Sequence, residues 1–365
     1  MPTSLGPPSR TWLLAAALLS GASAFAQTPA PFAWPAGARA ALSLSFDDAR
    51  PSQVDVGTAL LDRHGVKVTF FTVPGSVEQR LGGWKKAVAA GHEIGNHSFH
   101  HEPWLHLYSE ERTETELVQA EEHIERATGQ RPRGFRGPGF SLSPATLRVL
   151  ARRGYRYDAS TLPTFLGPLA RAYYFMSTKL SPEQREQRKV LFGTFAEGLQ
   201  PLRPYRWRTD AGEILEIPVT TMPIFRIPIH VSYLLYVNVL APRLAVPYFR
   251  MALGLCRWTE TQPSILLHPL DFLGCEDARD LSFFPAMNLP RERKLELVGQ
   301  ALDVLSDRFA VRTVGEHAEA AARASHLSAR KPRAPRPAPQ PVGRLTSTHH
   351  PTEVTDETGT RVTDR

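Results

Sequence analysis

Cysteine is nearly absent: Cys256 and Cys275 are the only two among 365 residues. That excludes a disulfide framework and any cysteine-built zinc knuckle, although the two thiols could pair with each other in an oxidising compartment. No internal repeat is present, which argues against a solenoid or propeller. Charge of one sign is not in large excess. Forty-three Lys and Arg against 36 Asp and Glu leave a net +7, and Arg330, Lys331, Arg333 and Arg336 near the C-terminus carry much of it. No nucleic-acid partner is expected, and the basic end reads as a solvated tail. Long apolar runs are also missing. The run Trp12–Leu19 is shorter than the roughly 20 residues a bilayer-spanning helix needs.

What surrounds that run is informative. Arg10 precedes it, small residues follow, and Ala24-Phe25-Ala26 ends it before Gln27. This order predicts a signal peptide over residues 1–26, cleavage after Ala26, and a periplasmic or secreted mature protein, with an uncleaved anchor as the alternative. Residues 27–38 form a Pro/Ala-rich lead-in. From residue 326 to 365 the chain becomes Pro/Arg-rich and then polar, without apolar periodicity, and a disordered tail is expected.

Between these ends, 39–325 read as one catalytic domain. Ala41–Phe46 and Val68–Val73 are dense in strand formers. Further strands are expected at Glu93–His97, Gly134–Arg136, Tyr155–Asp158, Ile214–Val219, Ser264–His268 and Val311–Val314. Helices lie between them. Ser143-Pro144 reads as N-cap and first turn of one that Gly154 closes, and Ser109 opens another that Gly129 ends. Repeated strand–helix units predict an α/β fold with a parallel sheet, open or closed into a barrel. Asp47, Asp48, His97, Arg136, Asp158 and His268 all fall at the C-terminal ends of these strands, the face that carries chemistry in α/β barrels.

Adjacent carboxylates repel and resist burial unless something uses them. A divalent metal offers that use, with one carboxylate as ligand and the other as a base. His97-x-x-x-His101 supplies nitrogen donors if the chain curls back after its strand, with His100 and His106 competing for the second place. One Asp and two His suit Zn2+, and also Co, Ni, Mn or Fe(II). Arg136 could clamp the base by a bidentate contact. His268 suits donating a proton to a leaving amine, with Asp271 or Asp158 to orient it.

These residues resemble the polysaccharide deacetylase family, also called the NodB-homology or carbohydrate esterase family 4 group. Leu44-Ser45-Phe46-Asp47-Asp48 is similar to its T-F-D-D motif, with Ser45 replacing Thr. His97-Ser98-Phe99-His100-His101 is similar to H-[ST]-x-x-H, Arg136-Gly137-Pro138-Gly139 resembles R-x-P-x-G, and Leu266-Leu267-His268 resembles L-x-H. The resemblance spans roughly residues 40 to 315 in the family's order. It implies a distorted (β/α) barrel of about seven parallel strands, with Asp48, His97 and His101 as metal ligands. It also implies Asp47 as general base, Arg136 as its tether and His268 as general acid. The expected reaction removes an N-acetyl or N-formyl group from an amino sugar in a polysaccharide or envelope glycan. The alternatives are an O-acetyl esterase and a non-catalytic glycan-binding protein.

The family's usual Asp and Trp pair is absent. Tyr157–Thr161 and Glu216–Thr220 occupy its region, the latter more similar to relatives acting on lipid-linked or envelope sugars. Pro138, Gly139, Phe140, Asp158 and Trp207 are expected to meet substrate. Residues 165–208 read as an insertion whose aromatics and arginines suit sugar stacking, a membrane surface or a packed lid. Ile227–Pro247 reads as an extension of that lid or a dimer contact.

Overall fold

The computed structural model describes residues 40–332, except Ala49, Lys179, Phe283 and Ser325. The expected signal peptide, the lead-in and the tail beyond residue 332 lie outside the described residues.

Ten strands make one sheet: β1 (Ala41–Phe46), β2 (Thr69–Thr72), β3 (Glu93–Asn96), β4 (Gly134–Phe135), β5 (Tyr157–Asp158), β6 (Tyr205–Thr209), β7 (Gly212–Glu216), β8 (Ser264–Leu267), β9 (Ala310–Arg312) and β10 (Ala329–Arg330). Their order is β10-β6-β7-β5-β4-β3-β2-β1-β8, with β9 also pairing β1. Eight of them, β1 to β5 with β7, β8 and β9, run parallel around a distorted barrel. Past β7, Thr220 N–H donates to Ser264 O at 2.9 Å and draws the open side together.

All six residues of β1 are buried. Leu42, Leu44 and Phe46 alternate onto the face that joins the main apolar cluster with Phe70, Trp84, Phe249 and Leu302. Ser43 and Ser45 turn to the opposite face, where their hydroxyls meet His317 Nδ1 at 2.9 Å and Arg136 Nη1 at 2.8 Å. The periodicity of two thus makes one strand serve a greasy layer and a polar one.

Register brings the strand ends level. Phe46 pairs with Phe70 and Leu267, Thr72 with Asn96, and Asn96 with Phe135. The next residues, Asp47, His97, Arg136 and His268, therefore leave at one rim. Asp158 pairs with Phe135 and sits one residue deeper than that rim.

The capping signals hold. Ser143 accepts the Thr146 N–H at the start of the helix Pro144–Arg152, and Gly154 takes φ +72° beyond it. Ser109 caps the helix Glu110–Thr128, and Gly129 ends it at φ +75°. Two strands were not expected. β6 lies within the stretch read as insertion and pairs antiparallel with β7. β10 lies inside the stretch read as tail, where the edge of β6 still offers unpaired backbone groups and recruits Ala329–Arg330. The two cysteines are free thiols, Cys256 buried and Cys275 exposed. Among the described residues no helix is long and apolar enough to cross a membrane.

Candidate functional site

At the rim, β1 delivers Asp47 and Asp48 in opposite directions. Asp48 adopts φ +73°, a left-handed backbone that turns it outward, so a third of its side chain is exposed while Asp47 stays buried. The loop after β3 curls through two more left-handed residues, Ser98 at φ +65° and His101 at φ +56°. Asn96 Oδ1 accepts the Ser98 N–H, and Ser98 Oγ accepts the His101 N–H, which fixes the curl. The conformation that L-residues seldom adopt is thus held by side-chain bonds on both histidine flanks.

The curl brings His97 and His101 to Asp48. Oδ1 of Asp48 lies 3.4 Å from His97 Nε2 and 3.0 Å from His101 Nε2. One donor atom from each of the three falls within 4.8 Å of the others. Burial pushes the Asp48 carboxyl up, but hydrogen bonds and charge from His101 and His97 outweigh it and hold the group well below the ordinary range. His97 Nδ1 is bonded to the Arg136 carbonyl at 2.7 Å, which orients Nε2 toward Asp48 as outer-shell partners of metal-binding histidines do. This donor set, one carboxylate oxygen and two imidazole nitrogens, fits a borderline divalent ion.

The competing histidines are employed elsewhere. His100 Nδ1 meets Glu116 Oε1 at 2.6 Å, and Glu116 also accepts the Phe99 and His100 backbone N–H groups. His106 Nδ1 meets Ser141 Oγ at 2.8 Å.

Asp47 and Arg136 form the buried half of the site. Arg136 is fully buried, and its Nη1 donates to Asp47 Oδ1 at 2.7 Å as well as to Ser45. The expected bidentate clamp is not formed: Nε donates to the Ala159 carbonyl at 2.9 Å, and Nη2 is buried without a hydrogen-bond partner. The guanidinium also lies over the Phe71 ring, 4.3 Å from its centroid. Gln53, which the motif reading passed over, bonds the Asp47 carbonyl and steadies the backbone there.

His268 leaves β8 next to Asp47, whose N–H donates to Leu267 O at 3.1 Å. Its partner is neither expected carboxylate directly. Asp271 Oδ2 accepts the His268 backbone N–H at 2.8 Å, whereas the imidazole Nδ1 meets Ser232 Oγ at 3.2 Å. Burial raises the Asp271 pKa, and the His268 charge and the Ser232 hydroxyl partly offset that rise. Asp158 serves another purpose: buried with Glu216, it bonds Ser160 Oγ at 2.6 Å. Burial and the neighbouring Asp158 charge raise the Glu216 pKa far above the ordinary range.

Of the residues expected to meet substrate, Gly139 is exposed, Phe140 half-buried and Pro138 buried, in a turn where both Gly139 and Phe140 have positive φ. Trp207 is a correction. It lies buried on β6, donating Nε1–H to Glu216 Oε2 at 2.9 Å, because β6 is a sheet strand and its alternate residues face the core.

Two site residues lacked any sequence signal. Ser232 and His230 open the helix Val231–Leu240, within the run read as lid or contact surface. The His230 ring lies 5.5 Å from that of His268, and its Nδ1 is buried without a hydrogen-bond partner. Burial, then the His268 and Arg136 charges, push its pKa far down, so His230 is neutral.

Residues 35–157 match the family model for polysaccharide deacetylase. This segment belongs to the polysaccharide deacetylase family. The matched segment contains Asp47, Asp48, His97, His101 and Arg136, while His268 lies beyond it. Over 98 residues it is 35% identical to the peptidoglycan-N-acetylglucosamine deacetylase PgdA of Listeria monocytogenes, covering 27% of this chain and 21% of that protein. Over 103 residues it is 30% identical to the peptidoglycan deacetylase of Helicobacter pylori, covering 28% and 35% respectively. The chain thus spans from about a fifth to about a third of these curated relatives' length. A solved Mycobacterium smegmatis chain, assigned as a polysaccharide deacetylase, superposes with a TM-score of 0.53 at 20% identity, over 85% of this chain and 99% of that one. The barrel is that family's fold.

Proposed function

We propose that the protein is a metal-dependent hydrolase that removes an N-acetyl or N-formyl group from an amino sugar in a polysaccharide or envelope glycan, after export. The observation that carries this reading is the Asp48–His97–His101 cluster standing beside an Asp47 tethered by a buried arginine.

Asp48, His97 and His101 would hold the ion, with zinc favoured by the O/N/N donors. Such an ion supplies Lewis acidity, polarising an acyl carbonyl and acidifying water. Asp47 presents the carboxylate oxygen not bound by Arg136 to take a proton from the attacking water. Arg136 has no freedom to swing away, since Ala159, Ser45 and Phe71 hold it from three sides. His268, with Nδ1 turned to Ser232, keeps Nε2 for the leaving amine, which departs poorly unless protonated. Neutral His230 beside it adds no positive charge to hinder His268 from carrying that proton.

The test is proton NMR of small-acid release from N-acetyl oligosaccharides and cell-envelope glycans, with and without chelator. Chelator-sensitive acetate or formate is expected. Asp47→Asn should lower turnover by about 10²–10⁴-fold while leaving bound metal unchanged, and His97→Ala should lose both. Near-normal turnover in Asp47→Asn would remove the base assignment. Faster release from an O-acetylated sugar than from its matched N-acetyl form would instead favour the esterase alternative.

A further inference from the structure

Outside the catalytic rim, the least expected feature is an outward-facing apolar helix in the stretch read as insertion. On the helix Gly167–Ser177, Leu169, Tyr173 and Met176 recur at i, i+4 and i+7, which places them on one face. That face points to solvent: the three are 65%, 45% and 78% exposed. Phe195, Leu199 and Phe225, on the segments that pack against this helix and its neighbours, are also each at least 60% exposed. The pieces are joined. Arg171 Nη2 donates to Gly193 O at 3.0 Å, tying the helix to the segment that leads into Phe195. Arg226 Nη1 donates to Gln200 O at 2.9 Å, tying the Phe225 turn to Leu199. Single exposed apolar residues are ordinary, whereas a contiguous set marks an interaction surface.

The stretch of chain that carries this face is basic. Residues 165–208 hold eight Lys and Arg against three Glu. Arg185 and Arg188 are held on the flank of the helix, Arg185 bonding the Phe175 carbonyl at 3.0 Å and Arg188 the Tyr174 hydroxyl at 2.7 Å. An apolar stripe with a cationic flank is the pattern of segments that lie in the headgroup layer of an anionic bilayer. A second copy of the chain is a poorer match, because its own basic flank would meet this one.

We propose that this face docks the protein onto an anionic lipid surface. The proposal concerns binding alone and stands apart from the hydrolase reading.

Co-sedimentation with vesicles tests it, using the mature chain and either equimolar phosphatidylglycerol and phosphatidylcholine or phosphatidylcholine alone. Binding to the anionic vesicles is expected, about tenfold weaker to phosphatidylcholine and weakened by salt. The triple variant Leu169→Gln, Tyr173→Ser, Met176→Gln should lose about tenfold or more in vesicle affinity, with its circular dichroism and thermal midpoint unchanged. The exposed pair Arg185→Gln, Lys189→Gln should reduce the salt-dependent part only. Failure of the wild type to bind, or undiminished binding by the triple variant, would overturn the proposal. So would a wild-type dimer in sedimentation velocity that the triple variant abolishes, since the face would then belong to a second copy.

Discussion

At the scale of single residues, the site separates two duties that its sequence places side by side. Asp47 and Asp48 are neighbours, yet one is buried against a guanidinium and the other turned outward to two imidazoles. A left-handed φ at Asp48 makes that possible. Ser232 plays a comparable small part across the rim, because its hydroxyl is what holds the His268 ring. Ser232→Ala should therefore slow hydrolysis of an amide by about tenfold, less than the roughly 10²–10⁴-fold of a whole acid–base group, because His268 itself stays in place. An ester with a good leaving group needs no proton from His268, so the same variant should cleave it at nearly the wild-type rate. Equal losses on both substrates, measured as kcat, would assign Ser232 a merely structural role.

At the scale of elements, the loop between β4 and the helix Pro144–Arg152 carries the arginine on which Asp47 depends. Gly137 has an ordinary φ, but a Cβ there would stand 1.9 Å from the Ser141 carbonyl oxygen, and backbone cannot yield as a side-chain tip can. Its N–H also donates to Ser160 Oγ at 2.8 Å, next to Asp158. Gly137→Ala should force the turn open and cost about 1–3 kcal/mol of stability, measured by urea unfolding, with a larger relative loss of turnover. A variant with unchanged midpoint and turnover would mean that the turn relaxes without moving Arg136. Gly129→Ala, at an open helix end with nothing within 4 Å of the new Cβ, serves as the contrast, since only its positive φ is strained.

At the scale of the whole molecule, burial of titratable groups couples folding to pH. His317 on the helix Val314–Ala322 is buried against Ser43, and burial lowers its pKa to about 3. The unfolded chain takes up its proton near 6.5 and the folded protein does not, so this group lowers stability as pH falls below 6.5 and is without effect above it. Buried carboxyls such as Glu93, raised by burial, act in the opposite direction. A difference between variants isolates the histidine. His317→Gln should gain about 2 kcal/mol relative to wild type between pH 7.5 and pH 5, from the 1.36 kcal/mol carried by each unit. A constant difference between the two proteins across that range, by urea unfolding, would show that His317 protonates freely in the fold.

The order of strands and helices and two helix caps were legible in the chain itself, and the family resemblance added the Asp48–His97–His101 cluster and the Asp47–Arg136 contact. Local chemistry determines the former: β-forming runs, Ser-Pro and Gly at helix ends, and charged residues placed where strands stop. The choice of His101 over His100 came from the family resemblance rather than from spacing, which left both open. Which nitrogen of Arg136 reaches Asp47 was not legible, because it depends on where the Ala159 carbonyl sits after β5. Nor was the core role of Trp207, which needed β7 as a pairing partner, or the strand Ala329–Arg330, which needed an open edge on β6. Ser232 and His230 come to His268 from about 36 residues away along the chain. Contacts of that kind have no local signature; only the closure of the barrel brings them together.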